Sequence, residues 1–319
     1  MEKIDNIDKI LEKVTKSNKM AKMVVAGADN GSILECCRKT KDLKITDSIL
    51  VGEKQSIIEI ASKKNIDISD FEIVDLKDEN EIAKYSSKLI HDGKVNIFAK
   101  GSIETKPMMK GILDKEVGIK DDKNISLVCI FEMKQEEKTR LIIISDPGIR
   151  PYPTLEEKVS IINHAVEVAH VIGIENPKVA VLAAIEVVNP KMKETLEAEQ
   201  ISKMNDNGEI KGCIVDGPLS LDLAVDPVAC EMKKVTNRKI KGDADILIFH
   251  DIHSANYAYK IFTHLLKWRT GSIMVGTKAP CILTSRSDTF DVKFNYILFS
   301  RLYYDYLLNK KEKEKEKEK

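Results

Sequence analysis

A short run near the C-terminal end of the chain combines three residue types that suit work on an anion. Ser285, Arg286 and Asp288 follow an apolar stretch of strand type, Cys281–Leu283, and a helical pattern begins shortly afterwards. A strand that leads into a helix N-terminus directs backbone N–H groups and the positive end of the helix dipole at one place. A hydroxyl there can orient a ligand, and a guanidinium can bind phosphate through two parallel hydrogen bonds. In the alternative interpretation Ser287 only caps the helix and Arg286 pairs with a nearby carboxylate.

Three other loops carry polar groups directly after apolar runs that read as strands. They are Lys100–Thr105, Asp216–Asp222 and His250–Asn256. In a sheet of parallel strands such loops gather along one edge, so their polar groups can form one site. Gly101 permits close approach of the backbone to a ligand, and Lys100 supplies a positive charge. Each loop taken singly also fits ordinary turn and cap chemistry. Their joint occurrence at strand ends is what favours a site.

Several well-defined motifs for phosphate binding, dinucleotide binding or nucleophilic catalysis are absent from the sequence. It contains no GxxxxGK[ST] phosphate loop, no GxGxxG dinucleotide loop and no GxSxG nucleophile motif. His250, Asp251 and His253 could in principle bind a metal, but this spacing at a strand end is usually fortuitous, so no metal site is predicted. We therefore predict cofactor-free group transfer that involves phosphate.

Strands that alternate with helices must position these groups. The predicted strands are Met23–Ala26, Ser48–Val51, Val95–Ala99, Ser126–Phe131, Leu141–Ser145, Val179–Ala184, Gly212–Val215, Ile246–Phe249, Ser272–Val275 and Cys281–Leu283. Because these Val- and Ile-rich runs alternate with amphipathic segments, the predicted fold class is α/β, a parallel or mixed sheet with helices on both faces. The runs at 126–131 and 141–145 are joined by a short charged segment, which predicts an antiparallel hairpin.

The densest cluster of Pro and Gly, residues 146–153, indicates a domain boundary. Thr154 and Glu157 directly after it predict a capping box at the start of a helix. We predict a first α/β domain of residues 1–146 plus 281–309 and a second of residues 147–280. If the last strand and helix return to the first domain, Ser285 and Arg286 would lie in the cleft between the two domains. Residues 310–319 alternate Lys and Glu and are predicted to form a disordered tail.

The composition limits the partners and the location. The 319 residues include 51 basic and 51 acidic side chains, and this zero net charge argues against nucleic acid or an anionic membrane as the main partner. Residues 1–19 are charged, and the longest apolar run, Val179–Val188, is too short to span a bilayer, so a soluble, cytoplasmic protein is expected. The six cysteines lack CxxC spacing and are predicted to be reduced core residues.

Between residues 90 and 300 the chain carries a series of segments whose order is typical of one family. They are Lys100-Gly101 with Thr105, Gly111–Gly118, Leu155–Val159, Asn163–His170, Pro177–Met192, Asp216–Asp222, Gly242–Leu247, Val275-Gly276 and Leu283–Asp288. On these segments the sequence resembles the phosphate acetyltransferase/phosphate butyryltransferase family, most closely its butyryl-transferring branch. Residues 1–90 match weakly, and the charged tail does not match.

The resemblance implies reversible transfer of a short-chain acyl group, with butyryl preferred, between coenzyme A and inorganic phosphate, which yields an acyl phosphate. It also implies two α/β domains of the isocitrate/isopropylmalate dehydrogenase-like fold, with the active site in the cleft between them. Coenzyme A is then a substrate, and no tightly bound cofactor is expected. A homodimer or higher homo-oligomer and a functional link to an acyl-phosphate kinase are implied as well.

The resemblance also assigns roles to residues. Ser285 would donate a hydrogen bond to the negative charge that develops on the carbonyl oxygen or the departing sulfur, and Arg286 would bind phosphate. Asp288, or alternatively Asp291, would serve as the base for the coenzyme A thiol in the reverse direction. The predicted substrate-binding residues are Lys100, Gly101, Thr105, Lys110, Asp216, Gly217, Pro218 and Asn256. Lys110 stands where the family commonly has Arg, which removes the bidentate geometry of a guanidinium.

Three other functions stay open at the level of sequence. The first is acetyl transfer instead of butyryl transfer. The second is a non-catalytic, ligand-sensing homologue, which is motivated by Ala255 in a loop where the family usually has Gly. The third is an NAD-dependent decarboxylating dehydrogenase of the same fold, but the clustered Asp ligands and the several substrate-facing Arg residues that it would need are not found in the sequence.

Overall fold

A computed structural model describes residues 3–17, 19–122, 124–135, 138–285 and 288–317. The described chain forms two compact units. Residues 7–122 and 271–317 form the first, which we call the flanking unit, and residues 3–6 and 124–270 form the second, which we call the central unit. The chain therefore divides near residues 123 and 270, whereas the sequence predicts divisions at 146 and 280. The first difference arises because the hairpin before residue 146 pairs with a strand of the central unit, and the second because the strand at 270–275 pairs with the strand at 281–282.

The flanking unit consists of strands followed by helices along the chain. Its strands are β1 Ala21–Ala26, β2 Thr46–Gly52, β3 Glu72–Asp75, β4 Ile97–Lys100, β10 Thr270–Val275 and β11 Cys281–Ile282, of which β10 starts at the last residue of the central unit. Its helices are α1 Ile7–Thr15, α2 Gly31–Asp42, α3 Lys54–Lys63, α4 Glu79–His91, α5 Thr105–Ile112 and α11 Phe290–Lys317.

The central unit follows the same pattern, apart from a hairpin at its start. Its strands are β5 Ser126–Gln135, β6 Lys138–Ser145, β7 Lys178–Leu182, β8 Ile214–Leu219 and β9 Ile246–Ile248. Its helices are α6 Leu155–Val171, α7 Lys193–Asp206, α8 Leu221–Val225, α9 Pro227–Met232 and α10 Ile252–Lys260, which continues into a π-helical turn, Ile261–Leu265.

The strands of the flanking unit lie in the order β3-β2-β1-β4-β11-β10. They pair in parallel from β3 to β11, and β10 pairs antiparallel with β11. Buried side chains of β1, among them Met23 and Val25, share one core with Leu34 of α2 and Ile297 of α11. The nearly complete burial of β1 is what a strand in the interior of a parallel sheet requires.

The strands of the central unit lie in the order β5-β6-β9-β7-β8. The predicted hairpin is confirmed, because β5 and β6 pair antiparallel, and the other neighbours pair in parallel. Helix α6 begins with the predicted capping box, in which the Thr154 side chain accepts from the Glu157 backbone and the Glu157 side chain accepts from the Thr154 backbone. All ten predicted strands are present, and both units have an α/β fold with a mixed sheet.

Two features of the described residues differ from the sequence predictions. The short edge strand β3 was not predicted, because its sequence, EIVD, carries a charge at each end. The Lys/Glu repeat continues helix α11 as far as Lys317 with exposed side chains at 311–316, whereas a disordered tail was predicted. Lys and Glu are good helix formers, so an existing helix can extend through such a repeat.

The six cysteines are buried free thiols, as predicted. Among the described residues, no helix combines the length and the apolar character that crossing a bilayer requires.

Candidate functional site

Three adjacent parallel strands of the flanking unit end at the same edge of its sheet. Ala26 of β1 is in register with Lys100 of β4, and Ile282 of β11 is in register with Ala99. The loops that follow these strands therefore emerge side by side, which is where ligands bind in open α/β sheets. Two of these loops contain residues that the sequence predicts to be functional, at positions 100–105 and 285–288.

The loops after β1 and β4 contact each other through their backbones. The N–H of Gly101 donates to Ala26 O at 2.8 Å, and the N–H of Ser102 donates to Gly27 O at 2.7 Å. A Cβ atom at Gly101 would lie 1.8 Å from Gly27 O. Glycine at position 101 is therefore required by the packing of the two loops, whether or not a ligand also approaches it.

A polar pocket of about 410 Å³ lies at this edge of the sheet. Its lining residues are Lys100, Glu104, Thr105, Lys106, Thr284 and Ser285. The Thr284 hydroxyl donates to Lys100 O at 2.8 Å, and Lys100 Nζ donates to Thr284 O at 3.3 Å, so the loops after β4 and β11 are tied to each other. We call this site the flanking pocket. Its two lysines and its hydroxyl groups suit an anion.

Two hydrogen bonds join Ser285 and Asp288 beside the pocket. The backbone N–H of Ser285 donates to Asp288 Oδ2 at 2.6 Å, and the backbone N–H of Asp288 donates to Ser285 O at 3.2 Å. Among the described residues Ser285 lines the pocket and Asp288 does not. Asp288 thus holds the backbone of Ser285. Arg286, the predicted phosphate ligand, and Ser287, the alternative helix cap, lie outside the described residues.

Two of the predicted substrate-binding residues line this pocket, and two others of the same unit do not. Lys100 and Thr105 are lining residues, whereas Gly101 packs against Gly27 next to Lys100. Lys110, on the last turn of α5, is exposed and its Nζ donates to Asn80 Oδ1 at 3.3 Å. Lys106 and Glu104 line the pocket but were not predicted. Their position directly before and after Thr105 in the sequence was the available signal.

The other predicted substrate-binding residues belong to the central unit, where Asp216 of β8 has protein partners. Its Oδ1 accepts from Arg238 Nη1 at 3.1 Å, and its Oδ2 accepts from the backbone N–H of Lys239 at 2.8 Å and of Ile240 at 3.2 Å. Asp216 is 4% exposed. The carboxylate therefore fastens the loop at 238–240 to β8.

Gly217 and Pro218 are buried within the same strand. A Cβ atom at Gly217 would lie 2.9 Å from Val181 Cβ of β7, so glycine is needed here for the packing of the two strands. Close strand packing of this kind is a common reason for glycine inside a strand.

Asn256 lies in the first half of α10, and its Nδ2 donates to Pro147 O at 3.0 Å. The helix is capped by Asp251, whose Oδ1 accepts from the backbone N–H of Ser254 at 2.8 Å. His250 Nε2 lies 3.2 Å from the Asp251 carboxylate. Among the described residues, no group of three or more His, Cys, Asp or Glu side chains could hold a metal ion.

The central unit has a pocket of its own, of about 350 Å³, which we call the central pocket. It lies where β7, β8 and β9 end, and its lining residues are Leu182, Ala183, Ala184, Met192, Glu194, Leu221, Phe249, His250 and Ser254. Most of these side chains are apolar. Next to Leu221, hydrogen bonds from Ser220 and Lys233 lower the pKa of Asp222 to about 2, so this carboxylate is ionised at neutral pH and is a poor base.

The fold and the flanking pocket define an α/β protein with a polar, lysine-containing pocket at the carboxyl ends of parallel strands. A family model described as "Phosphate acetyl/butaryl transferase" matches residues 6–91 and 77–300. The chain belongs to this family.

Individual relatives agree with the family match. The chain is 43% identical to the phosphate butyryltransferase of Clostridium acetobutylicum over 94% of this chain and 98% of the relative. It is 38% identical to the phosphate acetyltransferase of Thermotoga maritima over 93% of this chain and 99% of the relative. Among solved structures, the branched-chain phosphotransacylase from Enterococcus faecalis V583 matches with a TM-score of 0.79 and 30% identity, covering 89% of this chain and 99% of that one.

Proposed function

We propose that this chain transfers a short acyl group, butyryl in preference to acetyl, between coenzyme A and inorganic phosphate. The observation that carries the proposal is the flanking pocket, in which Ser285 lies beside two lysines and Thr105. Identity of 43% to a phosphate butyryltransferase over nearly the whole chain supports the choice of reaction. Coenzyme A acts as substrate and product in this scheme, and no other cofactor is required for the transfer.

Phosphate binds in the flanking pocket through charge and hydrogen bonds. Lys100 is 4% exposed and is held in the wall by Thr284, so its ammonium has a defined position. Lys106 and Thr105, at the start of α5, supply an exposed cation and a hydroxyl. Arg286, whose sequence position follows Ser285 directly, completes the phosphate site with a guanidinium in this proposal.

The reaction needs little beyond orientation and charge stabilisation. A phosphate oxygen attacks the thioester carbonyl carbon, a C–O bond forms, the C–S bond breaks, and coenzyme A leaves as a thiolate. Binding both substrates with the reacting atoms about 3–3.5 Å apart supplies much of the acceleration. Ser285 donates a hydrogen bond to the negative charge that develops on the carbonyl oxygen or on sulfur.

The reverse direction requires a base, because a free thiol has a pKa of about 8.5. Asp288 is the proposed base, with its Oδ2 oriented by the Ser285 N–H. Asp291 is the alternative suggested by the sequence, and Glu104 is the alternative suggested by the pocket lining. The variants Asp288→Asn, Asp291→Asn and Glu104→Gln, assayed with acyl phosphate and coenzyme A, decide between them. The variant that loses the reverse reaction identifies the base.

The purified chain, assayed with a panel of acyl-CoA thioesters, tests the function. We expect release of the coenzyme A thiol that depends on phosphate and is fastest with butyryl-CoA. Fastest release from acetyl-CoA would replace the butyryl assignment by the acetyl alternative. Absence of phosphate-dependent release from every thioester would refute the proposal and favour the ligand-sensing homologue.

Several predictions that follow from the family accompany this function. They are a cytoplasmic location, a homodimer or higher homo-oligomer, a functional link to an acyl-phosphate kinase, an isocitrate/isopropylmalate dehydrogenase-like fold, and substrate contacts by Lys110, Asp216, Gly217, Pro218 and Asn256. For Asp216 the contacts to Arg238 and the 238–240 backbone support a role in shaping the loop next to any ligand. Chemical cross-linking and light scattering test the oligomeric state.

A further inference from the structure

The loop after β4, together with the first turn of α5, supplies most of the residues that line the flanking pocket. They are Lys100, Glu104, Thr105 and Lys106. Residues 101–103 lie between them in the sequence and pack against the loop after β1. Ile103 is 1% exposed, and a Cβ atom at Gly27 would lie 2.7 Å from the backbone nitrogen of Ile103. The placement of residues 101–103 therefore decides where the lining groups of this loop lie.

A side-chain hydrogen bond joins the two loops in addition to their backbone contacts. The Ser102 hydroxyl donates to Asp29 Oδ1, and both residues are partly buried. The backbone N–H of Ser102 donates to Gly27 O at 2.7 Å, so Ser102 is held by its main chain and by its side chain. A Cβ atom at Gly27 would lie 2.5 Å from Ser102 Oγ, which means that the hydroxyl packs directly on the loop after β1. A carboxylate suits this purpose, because hydrogen bonds to a charged acceptor are stronger than those between neutral groups.

The segment that carries Asp29 is itself fixed on both sides. The backbone N–H of Ala28 donates to Val51 O at 3.0 Å, which ties the segment to the end of β2. The next residue after Asp29 is Asn30, whose Oδ1 accepts from the backbone N–H of Ile33 at 3.2 Å and so caps α2. The Asp29 carboxylate is therefore an acceptor in a defined position.

A second interpretation of Asp29 needs no hydrogen bond. Asp29 lies two positions before Gly31, the first residue of α2, where a negative charge interacts favourably with the helix dipole. This interpretation depends on the charge of Asp29, whereas a hold on Ser102 depends on an acceptor oxygen. An asparagine side chain has an acceptor oxygen and no charge, so a substitution to asparagine separates the two interpretations.

We propose that Asp29 is a positioning residue, which holds Ser102 and through it the loop that presents Lys100 and Thr105 to phosphate. This role rests on the proposed acyl transfer to phosphate. Asp29 and Ser102 are not among the described residues that line the flanking pocket, so they act through the loop and not on the substrate. The loop after β11, the other neighbour of β4, holds Lys100 from its side, since the Thr284 hydroxyl donates to Lys100 O at 2.8 Å.

Steady-state kinetics of Asp29→Ala and Asp29→Asn test the proposal. Alanine removes the acceptor, and we expect KM for phosphate to rise about five- to tenfold, because small displacements of groups that position a substrate are costly. KM for acyl-CoA should change less than about twofold, since the displaced loop lines the phosphate pocket. Asp29→Asn retains an acceptor, so its KM for phosphate should stay within about twofold of the wild-type value. Equal rises in the two variants would overturn the role and assign Asp29 to the helix dipole.

A double-mutant cycle with Ser102→Ala shows whether Asp29 acts through Ser102. Ser102→Ala removes the donor, and we expect KM for phosphate to rise by a similar factor, about five- to tenfold. In the Ser102→Ala background, Asp29→Ala should raise it less than about twofold further, since the hydrogen bond is already lost. Equal rises in both backgrounds would overturn the proposal. Ser102→Ala also covers the case in which Asp29→Ala does not fold, because an unchanged KM for phosphate in Ser102→Ala would overturn the role by itself.

Asp67→Ala is the matched control, because it removes the same kind of pair from the same unit. Asp67 Oδ1 accepts from the Ser69 hydroxyl at 2.7 Å, and this pair precedes β3, so it lies at the amino ends of the parallel strands and away from the flanking pocket. Both KM values should stay within about twofold in Asp67→Ala. A rise in KM for phosphate equal to that of Asp29→Ala would overturn the proposal.

The wild-type chain separates this inference from the function on which it rests. Wild-type chain without phosphate-dependent turnover would overturn both the proposed function and the role of Asp29. An active wild type with an unchanged KM for phosphate in Asp29→Ala would overturn the role of Asp29 alone.

Discussion

The flanking pocket and the central pocket are built in the same way but differ in chemistry. Each lies at the carboxyl ends of parallel strands, and their volumes are similar, at about 410 Å³ and 350 Å³. The flanking pocket is lined by lysines, a glutamate and hydroxyl groups, whereas apolar side chains such as Leu182, Met192 and Phe249 predominate in the central pocket. The backbone thus supplies a place for a ligand in both units, and the residue types in the loops decide which ligand fits.

The difference also concerns how firmly the loops are held. In the flanking unit, Gly101 packs its backbone on Gly27, and Thr284 and Lys100 exchange hydrogen bonds across two strands. Residues of the central pocket such as Ala184 and Leu221 are exposed on a loop and a short helix. Groups that stabilise a transition state need a fixed position, which favours the flanking pocket as the place of the chemical step.

Ser285→Ala should give the largest loss of kcat. A small loss would contradict the distinction between the flanking pocket and the central pocket. Because the hydroxyl acts chiefly in the transition state, we expect kcat to fall about 10²–10³-fold with little change in KM for phosphate. Steady-state kinetics of phosphate-dependent coenzyme A release measures both constants. Ser254→Ala is the matched control, since it removes a hydroxyl from the central pocket, and it should leave kcat within about twofold. Equal effects of the two variants would remove the distinction between the pockets.

Gly101→Ala tests the close packing of the loops after β1 and β4, next to the flanking pocket. The added Cβ would lie 1.8 Å from Gly27 O, so the two loops must move apart. We expect the free energy of unfolding to fall by about 1–3 kcal/mol, as for other overpacked sites, and kcat to fall with it. Gly93→Ala is the comparison, because no atom lies within 4 Å of its added Cβ and only its positive φ of 68° is strained. Denaturant unfolding that shows the same loss for both would contradict the packing argument.

Lys106→Gln should have a smaller effect than Gly101→Ala. It tests whether phosphate binds in the flanking pocket. Lys106 is exposed, so its contribution is reduced by solvent, and we expect KM for phosphate to rise about two- to fivefold with kcat little changed. Lys84→Gln is the control, because this exposed lysine of the same unit pairs with Asp114 and Glu116 away from the pocket. A rise in KM for phosphate in both variants would indicate a general charge effect.

Ala184→Phe, which fills part of the central pocket, should have the smallest effect on phosphate. Since phosphate binding depends on charge and the central pocket is mostly apolar, we expect KM for phosphate to stay within about twofold. The same titration with acyl-CoA as the varied substrate completes the measurement. A change confined to KM for acyl-CoA would assign the central pocket to the carbon-rich substrate, and a large rise in KM for phosphate would contradict the comparison.

Much of the fold was predictable because it depends on local patterns. Runs of Val and Ile mark the ten predicted strands, a short charged connection marks the β5–β6 hairpin, and Thr154 with Glu157 marks the capping box. Each of these signals involves residues that are close in sequence. The exception, β3, is a short edge strand with charged ends, for which alternation of apolar residues is too brief to be recognised.

The candidate site was predictable only in part. That Lys100 and Ser285 lie at or just after the ends of strands is visible in the sequence, and family resemblance connects them with acyl transfer to phosphate. That β4 and β11 are neighbours is a property of the sheet, and it brings Lys100 to Thr284 across 184 positions. The same holds for Asp29 and Ser102, which are 73 positions apart.

Asp216 illustrates the same limit of prediction from sequence. Its place at a turn-like Asp-Gly-Pro segment favours a ligand contact, yet its partners are Arg238 and the backbone at 239–240. The sequence by itself determined the strands, the helices, the family and the residue types at the strand ends. Only the tertiary structure decided which of those residues face a pocket and which face each other. The physical reason is that periodicity and capping act over a few residues, whereas hydrogen bonds and ion pairs between loops depend on which strands become neighbours.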